Sequence, residues 1–258
     1  MLYKSDVIDY LHHRFFLPQV GIILFVLTIF PEKWYKKEDI KSPWILVLVL
    51  IVLSSITIVK ARSYTDPVTF YDSVISQNSD CAFAYNNRGN LYNAEGFYDE
   101  AIDDFTKAIA LNLNYDQAYY GRGFTYNCQG LKDKAIIDYT NAIRCNPNYI
   151  EAYNNRGIVY NDLKLYDKAI SDYTKAIQLK PDFAQPYNNR GYAYSVQGLY
   201  DKAISDYTKA IELNPDNMEA YYNRGDIYKT QGLTDKANQD YKKAEELHKA
   251  TVKGSGSF

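Results

Sequence analysis

Five arginines, Arg88, Arg122, Arg156, Arg190 and Arg224, are each followed sixteen residues later by an aspartate: Asp104, Asp138, Asp172, Asp206 and Asp240. Guanidinium and carboxylate match in shape and charge, so a fixed spacing suits bidentate pairing. Two uses are open: a ladder of ion pairs joining neighbouring elements, or a row of arginines for an anionic ligand. Directly before each arginine stands Asn87, Gly121, Asn155, Asn189 or Asn223, and before those Asn86, Tyr120, Asn154, Asn188 or Tyr222. A primary amide both donates and accepts, as a peptide group does, so a row of asparagines suits an extended peptide backbone. Phe124 and Tyr192, with Tyr120 and Tyr222, would border such a row. Rings interleaved with amides also suit a glycan, and amides can simply solvate an unused face.

Other chemistry is thinly supplied. Three histidines (His12, His13, His248) and three cysteines (Cys81, Cys128, Cys145) show no metal-ligand spacing. No nucleophile elbow, phosphate-binding glycine loop or paired-histidine motif is found. No catalytic residue, metal or cofactor is therefore expected. A formal net charge of −2 offers no phosphate-neutralising field, which disfavours nucleic acid as a partner. The anomaly of composition is 27 tyrosines against two tryptophans.

The tyrosines are periodic. From Ala82 the chain repeats every 34 residues, in units 82–115, 116–149, 150–183, 184–217 and 218–251; the run Leu165–Ile177 recurs unchanged as Leu199–Ile211. Counting within a unit, position 4 is always Tyr, position 8 Gly, position 11 Tyr, position 20 Ala, position 24 Tyr or Phe and position 27 Ala. Positions 4, 8 and 11 fall on one stripe of a first helix, and 20, 24 and 27 on one stripe of a second. Small residues let the two helices approach, and rings fill the space between them. Gly96, Gly130, Gly198 and Gly232 are expected to end the first helices. Asp99, Asp133, Asp167, Asp201 and Asp235 are expected to N-cap the second. Lys164 and Leu113 depart from the pattern, and those joints are expected to be looser.

This pattern resembles the tetratricopeptide repeat, a 34-residue helix–turn–helix unit. The resemblance implies an all-α, right-handed superhelical α-solenoid whose concave face binds protein or peptide partners. The asparagine row resembles that of the repeats in O-linked N-acetylglucosamine transferase, where such side chains hold a peptide backbone. Residues 63–81 read as a degenerate capping helix, with Tyr71 and Val74 in the ring and small-residue slots, and 252–258 as a flexible tail.

Residues 1–62 differ in character. They carry eight basic and five acidic side chains, against 21 and 26 in residues 63–258. Two apolar runs, at about 15–30 and 44–61, are separated by a charged loop and flanked by Trp34, Tyr35 and Trp44. They read as a membrane helical hairpin, making the lipid bilayer a second partner. The segment Arg14-Phe15-Phe16-Leu17-Pro18-Gln19-Val20-Gly21 resembles a signature before the last membrane helices of polytopic glycosyltransferases that use lipid-linked sugars. That likeness implies repeats on the extracytoplasmic side. The leading expectation is a membrane-anchored, non-enzymatic scaffold that binds an extended peptide. The alternative is a C-terminal acceptor-recognition module, or remnant, of such a glycosyltransferase.

Overall fold

A computed structural model of the chain describes residues 66–255, with side chains through Ala250. The chain divides into residues 1–64 and 65–258, and the described helices belong to the second unit. The expected membrane hairpin at 15–30 and 44–61 lies outside the described residues. Among the described residues, no helix is long and apolar enough to cross a membrane.

The described residues form eleven α-helices. α1 (Pro67–Gln77) comes first. Five hairpins follow: α2 (Ala82–Glu95) with α3 (Tyr98–Leu111), α4 (Asp116–Cys128) with α5 (Lys132–Cys145), α6 (Ile150–Asp162) with α7 (Tyr166–Leu179), α8 (Ala184–Val196) with α9 (Tyr200–Leu213), and α10 (Met218–Thr230) with α11 (Thr234–Ser255). Each first helix packs on its own second helix and on the second helix of the unit before. First helices of successive units also meet one another, whereas second helices hardly do. The first helices therefore form the inner layer of the solenoid, and their outward stripe is its concave face.

The interhelical core is the one the small and ring positions specify. Phe105, Tyr139, Tyr173 and Tyr207 are buried, as are Ala101, Ala135, Ala169 and Ala203 on the same second helices. The glycines opposite them permit the close approach. A Cβ on Gly157 would lie 2.7 Å from Tyr173 Cε1, inside any tolerable contact. α1 enters this core as the second helix of an incomplete unit. Asp66 caps it, accepting from the amides of Val68 and Thr69, with Pro67 behind it. Tyr71 takes the buried ring slot.

Local details depart from expectation. The N-cap residues of α3, α5, α7 and α9 are Phe97, Leu131, Leu165 and Leu199, with no side-chain cap. Asp99, Asp133, Asp167, Asp201 and Asp235 stand in the first turn instead, where a carboxylate still favours the helix dipole. At the joint expected to loosen, Lys164 keeps the hairpin geometry by adopting φ +60°, close to the +76° of Gly130 at the equivalent turn. α11 runs through Ser255, beyond the expected boundary at 251. Its outer face, with Lys242, Lys243, Glu245 and Glu246 exposed, closes the stack with charge.

Candidate functional site

Each of the five arginines holds the aspartate sixteen residues on. In Arg156, Nε donates to Asp172 Oδ2 and Nη2 to Asp172 Oδ1, both at 2.8 Å. The same fork joins Arg88 to Asp104, Arg122 to Asp138, Arg190 to Asp206 and Arg224 to Asp240. The fork ties the two helices of one unit together. The remaining nitrogen reaches back a unit: Nη1 of Arg122, Arg156, Arg190 and Arg224 donates to Thr106, Thr140, Thr174 and Thr208 at 2.8–2.9 Å. In Arg88 that role falls to Asp72 of α1. Each guanidinium also lies between the rings at positions 4 and 11, as Arg156 does at 5.8 Å from both Tyr153 and Tyr160. The Asp104 carboxylate, above all, holds the Arg88 guanidinium above its ordinary pKa. A guanidinium with its nitrogens engaged and both faces covered is a structural joint rather than a site for a ligand. The 16-residue spacing made the aspartate legible; the threonine partners had no recognised signal, although their 34-residue recurrence was available.

Among the amides, Asn155, Asn189 and Asn223 are half-buried, whereas Asn87 is buried with the row before it. Asn86, Asn154 and Asn188, expected to border a groove, are only 2–3% exposed. Over Asn154 the next unit's residue closes with a hydrogen bond. Asn189 Nδ2 donates to Asn154 Oδ1 at 3.1 Å, and Asn155 Nδ2 donates to the Tyr120 hydroxyl at 2.9 Å. Asn154 Nδ2 donates in turn to Asn155 Oδ1 at 3.2 Å, making one chain of polar bonds from unit to unit. Where Gly121 replaces the bridging asparagine, the buried Asn86 Oδ1 has no hydrogen-bond partner. Asn87 instead donates to the carbonyl of Phe83 at 2.7 Å. Asn188 Oδ1, which Asn223 would bridge, is likewise unpartnered.

Above this buried layer the concave face presents aromatic side chains to solvent. Phe124, Tyr192 and Tyr222 are 38–44% exposed. Each stands at the surface of a first helix, α4, α8 or α10. Tyr120 is less available, half-buried with its ring 4.9 Å from Tyr149. The face thus combines exposed rings, half-buried amides and a stiff polar underlayer. Among the described residues no cluster of His, Cys, Asp and Glu has the makings of a metal site.

With this geometry in view, the chain belongs to the tetratricopeptide repeat family. The family model matches residues 82–115, 150–183 and 184–217, and a second tetratricopeptide repeat model matches 206–246. Among solved structures the chain is similar to MamA, with 30% identity over 64% of this chain and 96% of that one, at a TM-score of 0.60. It is similar also to YrrB, a TPR protein, with 24% identity over 69% and 91% of the two chains and a TM-score of 0.59. A third is MamA from residue 41 onward of Desulfovibrio magneticus RS-1, with 21% identity over 66% and 96% and a TM-score of 0.61. No curated protein matches the chain.

Proposed function

We propose that this protein is a non-enzymatic repeat scaffold that binds an extended protein segment along the concave face of its solenoid. The observation that carries this reading is the run of solvent-exposed rings, Phe124, Tyr192 and Tyr222, over a layer of buried amides bonded from α4 to α8. Rings at such positions offer large contact area at little entropic cost. Half-buried Asn155, Asn189 and Asn223 add amide groups along the same row of first helices. YrrB carries an unusual peptide-binding site; at 24% identity, its likeness to this chain speaks for the fold alone.

In this reading residues 15–30 and 44–61 anchor the scaffold in a bilayer and the repeats work on the extracytoplasmic side. Support comes from the apolar character of those runs, in which Lys60 is the one charged residue. Protease treatment of sealed, inside-in vesicles should then digest the repeats from outside; full protection would overturn that orientation.

The peptide reading is tested by replacing exposed rings. Phe124→Ala and Tyr192→Ala leave the buried layer intact, so helix content and thermal midpoint should hold. Capture of the partner by the full chain should fall by about tenfold or more, since interface energy concentrates in such anchors. Undiminished capture by the double variant would overturn the proposal.

A further inference from the structure

One part of the concave face differs from the rest. On α10, Glu219, Tyr222 and Asp226 stand at i, i+3 and i+7, so they share one stripe. All three are exposed. Among the described residues neither carboxylate has a cationic partner; Asp226 accepts only the Tyr241 hydroxyl, at 2.7 Å. Of the cations on the same helix, Arg224 is forked onto Asp240 and Lys229 makes no bond to Asp226. Across the junction on α8, Asn188 and Tyr192 lie one turn apart.

Asn188 is 3% exposed and its carboxamide oxygen has no partner. In the preceding unit the equivalent oxygen, that of Asn154, points at the next first helix and is bridged by Asn189. The repeat therefore aims Asn188 Oδ1 at α10, where Asn223 leaves it unbridged. Burial raises the Tyr207 hydroxyl's pKa first, and Glu219, Tyr192, Asp206 and Asp226 raise it further, so all four lie within electrostatic reach of it.

The assembly is rich in acceptors and negative charge, lacks a cation of its own, and is walled by two exposed rings whose faces attract cations. We infer that the groove between α8 and α10 is a subsite for a lysine or arginine side chain of the bound segment. The inference rests on the peptide-binding reading above and adds to it a preference for basic segments. The ammonium or guanidinium sits between Tyr192 and Tyr222 and donates to Glu219 and Asp226, with the buried, unbridged Asn188 oxygen adding negative potential beneath it. The amide–ring face of units two and three, which lacks paired free carboxylates, holds the neighbouring backbone.

The test uses the full chain and an immobilised library of decapeptides randomised over all residue types. Bound peptides should be enriched in Lys or Arg at one position by about three- to tenfold, the range for partly exposed charge pairs with ring contacts. Glu219→Gln and Asp226→Asn should each reduce that enrichment while leaving capture of neutral peptides in place. Glu219→Lys, an exposed change that the fold tolerates, should turn the preference toward Asp or Glu at the same position. Peptides that bind with no basic preference, or a preference that survives Glu219→Lys, overturn the subsite and leave the peptide reading standing. No bound peptides at all would overturn both.

Discussion

Replacing Asp172 with Ala strands a guanidinium whose nitrogens and faces are otherwise enclosed. Asp172 is 6% exposed, and the Arg156 side chain is 15% exposed. Breaking such a pair by removing one partner should cost about 3 kcal/mol, far above the value of a surface ion pair. Replacing both, as Arg156→Met with Asp172→Leu, should cost clearly less, because no orphaned charge remains. Urea denaturation of the three proteins checks this; a cost for Asp172→Ala below about 1 kcal/mol would mean that water reaches the pair. At Lys164 the sign reverses. A lysine held at φ +60° carries left-handed strain that glycine avoids, so Lys164→Gly should stabilise by about 1 kcal/mol. An unchanged or lowered urea midpoint would show that the turn is not strained. Both the pairs and the turn were readable from spacing, because a strict repeat exposes each departure. What was not readable is that the asparagines at position 5 are buried. A helical wheel places position 5 beside the concave stripe, and only the approach of the next first helix, bridging through Asn189, puts Asn154 under cover.

At the scale of elements, α1 acts as the cap that makes the first complete unit stable. It fills the ring slot with Tyr71 and supplies Asp72 to Arg88 where every later unit supplies a threonine. A solenoid is held unit by unit through nearest neighbours, so loss at one end frays inward. Tyr71→Ala should therefore cost about 3 kcal/mol locally. Hydrogen exchange should speed up first in α2 and α3 and leave α8 and α9 protected; uniform loss across all units would show the stack to be more cooperative than its nearest-neighbour contacts imply. The hairpin order, the ring and alanine slots and the place of Tyr71 in α1 all followed from the 34-residue period. The start of each second helix did not. The chain turns out of its glycine so tightly that a Leu or Phe, not the Asp two residues on, occupies the N-cap.

The whole molecule concentrates tyrosine in its core, and this makes its stability depend on alkaline pH. Burial raises the hydroxyls of Tyr139, Tyr173 and Tyr207 well above their ordinary value. In the unfolded chain they ionise near pH 10. Above that pH the folded state holds protons that the unfolded state releases, so stability is intact below about pH 10 and falls as pH rises past it. Tyr241, held up to about 12 chiefly by its hydrogen bond to Asp226, adds to the same trend. Phenolate absorbance and circular dichroism recorded together should show these hydroxyls ionising only as helix is lost. Their ionisation with helix intact would contradict the buried placement.

The central claim, that the inner layer of first helices is the working face, is tested most directly by site-specific photo-crosslinking. A photoreactive phenylalanine replaces Tyr192 on the concave face or Ile137, which is 60% exposed on the second helix α5. The account predicts that the partner is crosslinked from position 192 and not from position 137. Crosslinking from 137 with none from 192 would contradict it.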